Sequence, residues 1–175
     1  DGATRRLSLW AMPVLAGLGQ GSQETANMAI LDGDMASYVA QVPSPHQMRM
    51  FTEVGRRVFP HAAGVGKAIL SQLPDERVIE IVRRTGMPAY TPTTITSEAA
   101  LLADLQATRQ RGYAIDEGEQ EVGVRCYALP VAGLAMPAAI SVSGPESRVT
   151  LASVDRMVQL LREAGALLRA AMPGA

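Results

Sequence analysis

The sequence predicts an α+β fold, an antiparallel sheet flanked by helices, on three observations. Strand-like runs cluster early, over 25–42, and late, over 113–142, while helical periodicity fills the interval between them and the C-terminal end. Asp32-Gly33 stands between two runs rich in small and β-branched residues, a strong hairpin signal. The chain has 175 residues, 47% of them hydrophobic and 19% charged, which is enough apolar material for one well-filled core.

Taken in order, the first element is a helix. Thr4-Arg5-Arg6 followed by the apolar run from Leu7 to Ala16 imitates a secretion signal, but Pro13 interrupts a run too short to span a bilayer, and a helix packing on the domain is expected instead. Strands follow over Thr25–Leu31 and Met35–Val42. Pro43-Ser44-Pro45 ends their pairing, and Gln47–Thr52 reads as a third strand before Gly55. A helix is predicted near His61–Leu73. Pro74, Asp75 and Glu76 suit the first turn of the next, with Val78, Ile81 and Val82 on one face and Gly86 as its stop. Thr96 or Ser97 caps a third, which buries Leu101, Leu102 and Leu105 and ends at Gly112. Strands are then expected over Tyr113–Asp116, Val124–Val131 and Pro137–Val142. Leu151, Val154, Val158, Leu161, Ala164 and Leu168 keep the three-and-four spacing of a helix covering one sheet face.

Composition excludes several functions. A net charge of -1 gives no basic field for holding a phosphate backbone, so this segment by itself is a poor DNA binder. A single cysteine, Cys126, makes no intrachain disulfide, and a reducing cytoplasm is its simplest home. Two histidines and one cysteine, all far apart, lack the spacing of zinc ligands, so no metal is expected. Gly64-Val65-Gly66-Lys67 invites a phosphate-loop reading, but the motif needs glycine at 61 and serine or threonine at 68, where this chain has His61 and Ala68. Gly17-Leu18-Gly19-Gln20-Gly21 fails the dinucleotide fingerprint at Ser22. No cofactor is expected.

The remaining residues describe a small-molecule pocket. Ala62, Ala63, Gly64 and Gly66 at a helix start let a ligand approach the backbone, where unpaired amides attract an anion, although close helix-to-sheet packing explains the same residues. Val124 and Cys126 share one strand face, as do Ser141 and Ser143 on the next strand, giving a mixed apolar and hydroxyl wall. An ionised Asp116 would repel an anionic ligand unless a water, a donor on the ligand or protonation intervenes. Glu117, Glu119 and Glu121 read as a solvated acidic turn, and Arg49, Arg56 and Arg57 as surface or subunit-contact residues. A catalytic Cys126 activated by His46 or His61 has no signature around it. An enzyme processing a small acid through Cys126, or a dimerisation module without a ligand, remain the alternatives.

Three motifs in order, Gly55 to Ala68 (GRRVFPHAAGVGKA), Gly112 to Pro130 (GYAIDEGEQEVGVRCYALP) and Ser141 to Pro145 (SVSGP), resemble the effector-binding C-terminal domain of IclR-type bacterial transcription regulators, from about Leu7 to about Leu168. The resemblance implies a GAF-like sheet, and a winged helix-turn-helix domain and linker preceding this chain in the full-length protein. It divides the chain into an N-terminal helix, 1–22, and an effector-binding domain, 23–172. It places effector contacts on Val65, Gly66, Asp116, Val124, Cys126, Ser141 and Ser143. The partners it implies are a small organic acid, a second copy in a homodimer or tetramer, and operator DNA only through the N-terminal domain, with no membrane and no enzymatic activity. Gly86-Met87-Pro88, Thr91 to Ile95 and the Asp116 to Cys126 run are similar to repressors of allantoin and glyoxylate metabolism, which points to a glyoxylate-like carboxylate. Two departures touch the ligand. The loop Ala132 to Met136 is short and apolar, and Phe59 stands where a smaller aliphatic residue is usual.

Overall fold

A computed structural model describes residues 2–171, so the outer bounds expected at positions 1 and 172 lie outside the described residues. The order is α1 (Gly2–Ser22), β1 (Thr25–Asp32), β2 (Met35–Val42), β3 (Arg57–Val58), a 3-10 turn (Pro60–Ala62), α2 (Gly64–Leu70), α3 (Asp75–Thr85), α4 (Glu98–Arg111), β4 (Ala114–Glu117), β5 (Val124–Val131), β6 (Ala138–Pro145) and α5 (Val154–Ala171). The strands form one six-stranded sheet in the order β3-β2-β1-β6-β5-β4, every neighbouring pair antiparallel. Among the described residues no helix is long and apolar enough to cross a membrane.

Alternation along the strands sorts side chains onto two faces. On one, Ala26, Met28, Ile30, Tyr127, Leu129, Ile140 and Val142 pack against Leu7, Ala11, Leu15 and Leu18 of α1 and Met157, Leu161, Ala164 and Leu168 of α5. On the other, Ala29, Ala114, Cys126, Ala128 and Ala139 meet α2, α3 and α4 through Val65, Ala68, Ile69, Ile81, Leu101 and Leu105. The β1–β2 register shifts between Met28 and Ala29, where Tyr38 pairs with Ala29 and Ala40 with Met28. The extra residue is a β-bulge, and it lets Tyr38 and Gln41, three positions apart, line the same cavity.

Two sequence expectations change. No strand forms over Gln47–Thr52; that segment is tied by side chains, with Thr25 Oγ1 donating to the Met50 carbonyl at 2.7 Å and Arg148 Nη2 to the Met48 carbonyl at 2.6 Å. The edge strand falls at Arg57–Val58, where Gly55 turns the chain at φ +96° and Tyr38 N bonds the Arg56 carbonyl at 3.0 Å. The helix expected from His61 begins only at Gly64, because Ala63 is extended (φ -129°, ψ 145°) and separates the turn at Pro60–Ala62 from α2. Ser97 caps α4, its hydroxyl accepting from Ala100 N at 3.2 Å, and left-handed Gly112 (φ 90°) ends that helix.

Candidate functional site

A cavity of about 310 Å³ lies on the α2 face of the sheet. Its floor takes one residue or more from most strands: Tyr38 and Gln41 from β2, Asn27 from β1, Ser143 from β6, Val124 and Cys126 from β5 and Asp116 from β4. Ala62, Ala63 and Gly64 close one side, Phe59 and Tyr90 another, and the segment carrying Met50, Phe51, Thr52 and Arg56 forms part of the rim.

Of the residues expected to touch an effector, Asp116, Val124, Cys126 and Ser143 line this cavity, whereas Val65, Gly66 and Ser141 do not. Val65 is buried in the core beneath α2. Gly66 is explained by packing, since a Cβ there would run into the main chain of Pro60. Gly64 sits tightest on the floor: a Cβ would stand 2.7 Å from Cys126 Sγ and 3.5 Å from Asp116 Cβ. The amides of Gly64, Val65 and Gly66 fall in the first turn of α2, where a helix offers no internal partner. Ser141 Oγ is buried without a geometric hydrogen bond, behind the thiol of Cys126.

Behind the floor lies a buried charge cluster that the glutamate-rich turn conceals in the sequence. Lys67 Nζ, on a side chain 1% exposed, pairs with Glu119 Oε1 at 2.8 Å and Asp104 Oδ2 at 3.0 Å, and donates to the Ile115 carbonyl at 2.7 Å. Burial alone would push this ammonium down, but the Glu119 and Asp104 carboxylates outweigh it and hold it above its usual value. Glu119 is therefore a buried member of an ion-paired cluster, contrary to the solvated turn expected. Its other oxygen accepts from Glu117 N at 2.9 Å, and its carbonyl accepts from Thr94 Oγ1 at 2.5 Å, fastening the turn to the loop before α4.

Asp116 shares this neighbourhood without sharing the lysine. Its Oδ1 accepts from Glu119 N at 2.7 Å. Burial raises its carboxyl to about 7, a shift that this hydrogen bond and Lys67 oppose and that the Glu119 and Glu117 carboxylates reinforce. Near neutral pH it is an acid able either to donate or to accept. Burial likewise pushes the Cys126 thiol up to about 12, with Asp116 acting the same way and the Ser143 and Ser141 hydroxyls only partly offsetting it. A thiol so held stays protonated and is a poor nucleophile. His61 is buried, its Nε2–H donating to the Pro88 carbonyl at 2.9 Å, and desolvation lowers it, so it is neutral and structural.

Arg56, expected at the surface or in a subunit contact, is exposed and also lines the cavity rim, and Tyr38, Asn27, Phe59 and Tyr90 line the cavity as well. Only an alternation argument carried across the bulge would have found Tyr38 and Asn27; nothing in the sequence marks Tyr90. Among the described residues no group of three metal-ligating side chains converges.

Residues 4–169 match the family model described as the bacterial transcriptional regulator IclR C-terminal domain. The transcriptional repressor IclR of Escherichia coli K12 is 42% identical over 151 residues, covering 84% of this chain and 55% of the relative. The transcriptional repressor AllR of the same organism is 40% identical over 132 residues, covering 74% and 48%. This chain thus spans about half the length of the curated relatives it matches. Among solved structures, the inducer-binding domain of a PobR transcription factor double mutant from Acinetobacter, in complex with 3-hydroxybenzoic acid, superimposes with a TM-score of 0.83 at 32% identity, covering 93% of this chain and 97% of that one. The chain belongs to the IclR family of bacterial transcriptional regulators and corresponds to its C-terminal, effector-binding domain.

Proposed function

We propose that this domain binds a small organic acid, glyoxylate-like or a related carboxylate, in the cavity above Asp116, Cys126 and Ser143, and that occupancy alters operator binding by a winged helix-turn-helix domain outside this chain. The observation that carries the reading is a cavity with a polar floor at the junction of five strands and α2, in a chain of this family. One feature suits an acid, the guanidinium of Arg56 on the cavity rim. Asp116 suits a hydroxyl, hydrate or amide donor on the same ligand, and Ser143 either polarity. The ligand-bound PobR domain supports the choice of an acid.

The protonated state of Cys126 favours a sensor over an enzyme. An open cavity, lined but not filled by Met50 and Phe51, favours a sensor over a ligand-free dimerisation module. The functional protein on this reading is a cytoplasmic homodimer or tetramer. Its effector needs to favour one of two assemblies by about 1–3 kcal/mol to act as a useful switch.

Calorimetric titration of this chain with glyoxylate, pyruvate, allantoate and 3-hydroxybenzoate, repeated on Ser143→Ala, tests the proposal. Saturable binding of at least one acid, weakened by the substitution, is expected. An operator-binding assay on the full-length protein then gives the sign of regulation. Turnover of an acid, abolished by Cys126→Ala while binding persists, would establish the enzyme instead.

A further inference from the structure

The segment between β2 and β3 forms part of the cavity rim through Met50, Phe51 and Thr52, and its own backbone does little to hold it there. Among the described residues no backbone-to-backbone hydrogen bond involves positions 43–52. Of residues 43–54 only Ser44 is buried, while Met48 is 74% exposed, Phe51 61% and Val54 60%. Thr52 Oγ1 is a buried atom without a partner, a cost relieved when water reaches it. A segment with no backbone ladder and little buried apolar area lies at the low end of local stability, where opening costs least.

What fastens this strap comes from one place. Thr25 Oγ1 donates to the Met50 carbonyl at 2.7 Å and accepts from Ser44 N at 3.1 Å, and Ser44 Oγ donates to the Gln23 carbonyl at 2.9 Å. Arg148 Nη2 donates to the Met48 carbonyl at 2.6 Å. Arg148 is itself fixed on Glu24, its Nε and Nη2 meeting the two carboxylate oxygens at 2.8 and 3.0 Å. The Glu24 side chain is 3% exposed, and Gly144 leaves room for it, since a Cβ there would stand 2.5 Å from Glu24 Oε1. A buried carboxylate stripped of its cation is costly, so this pair stays closed and Nη2 offers its second hydrogen to the strap from a fixed position.

Gln23, Glu24 and Thr25 carry the chain from α1 into β1. Among the described residues Gln23 alone, glycines aside, has a positive φ (+60°), and every hydrogen bond leaving positions 43–52 ends on this junction or on the arginine clamped to it. Inside the strap, Arg49 Nη1 donates to the Ser44 carbonyl at 3.1 Å, which ties its two halves into one unit. Resting on the effector-pocket reading for its use, we infer that Arg148 is a positioning residue that holds the strap of residues 43–52 across the cavity from the α1–β1 junction, so that closing the cavity and fixing the end of α1 are one event.

Cys126, the single cysteine, is 6% exposed on the cavity floor, so its modification by methyl methanethiosulfonate at fixed pH, followed by mass spectrometry, reads how often the strap lifts. Arg148→Met combined with Glu24→Gln removes the donor without leaving a bare buried carboxylate. Thr25→Val removes the Met50 anchor and keeps the ion pair. Leu161→Ala weakens the opposite core without touching the strap. Modification should be about tenfold faster in the first two and within twofold of the unaltered chain in Leu161→Ala. Hydrogen exchange should rise in the same two variants over 46–54 and over 23–25 together. Glyoxylate, pyruvate or 3-hydroxybenzoate, whichever saturates the unaltered chain, should slow exchange in both segments, and the slowing at 23–25 should be at least halved in the Arg148 and Glu24 double variant.

Unchanged modification in both strap variants, or an equal rise in Leu161→Ala, overturns the inference while the effector pocket stands. Exchange that rises over 46–54 and leaves 23–25 unmoved overturns it as well. Faster modification with exchange rising in both segments, but no acid bound, supports the strap and overturns the effector reading alone.

Discussion

The two faces of the sheet are made by the same strands and differ in how they are filled. Toward α1 and α5 the strands present Met28, Ile30, Tyr127, Leu129 and Ile140, large side chains that pack against two long helices. Toward α2 the same strands present Ala29, Ala128, Ala139, Asn27, Cys126 and Ser143. Small and polar residues, a seven-residue helix and two glycines in its first turn leave a cavity there and a cluster of charges behind it. One face supplies stability through apolar area, and the other holds a cavity that its own packing does not fill.

The contrast can be broken most sharply at Lys67. Lys67→Met leaves Glu119 and Asp104 without a counterion in the interior, and a loss of about 3–5 kcal/mol in urea unfolding is expected. Adding Glu119→Gln should recover part of it, since the cost lies in the unpaired charge. On the opposite face, Leu161→Ala should cost about 2–4 kcal/mol by leaving a hole against α1 and the sheet. The faces are independent if effector affinity, measured by titration, stays unchanged in that variant; a large drop would show that they are coupled.

Smaller effects sharpen the picture at the cavity floor. Gly64→Ala brings a methyl to 2.7 Å from Cys126 Sγ and should cost about 1–3 kcal/mol, most of it relieved in the double variant with Cys126→Ala. Asp116→Asn should stabilise the unliganded domain. The folded carboxyl is raised to about 7 from an ordinary value near 3.8, so its ionisation opposes folding increasingly between those pH values. Stability is full below the lower value and lost as pH rises through about 7. The asparagine keeps the acceptor for Glu119 N, and its advantage in thermal unfolding should be about 1–2 kcal/mol at pH 8 and vanish near pH 4. An advantage independent of pH would place its origin elsewhere than Asp116 ionisation.

Much of this was legible in the residues and some was not. Period-two and period-three-to-four patterns gave β1, β2, β5, β6, α3, α4 and α5 close to their observed bounds, because each element buries one face and the sequence records which. The edge strand was misplaced to Gln47–Thr52, because two residues at Arg57–Val58 are too few to leave a pattern. At the site, Asp116, Val124, Cys126 and Ser143 were singled out from motifs and strand parity, and they share a cavity. Glu119 was misread. A glutamate in an acidic turn reads as solvated until Lys67, fifty-two positions earlier, is brought to 2.8 Å from it. Arg56 is exposed as expected, and only the folded rim segment shows that it also lines the cavity.

The sequence by itself determined the antiparallel α+β class, the single cysteine and the family, because composition, alternation and local motifs are properties of short stretches of chain. Tertiary structure decided the rest: which two carboxylates pair with one lysine, that Arg56 reaches the cavity rim, and that Tyr38 and Gln41 face one cavity across a bulge. Those facts depend on strand order and helix docking, which bring together residues that no short stretch contains. Charge and hydrogen-bonding capacity are written in the side chain, but desolvation and pairing belong to the place where the fold puts it.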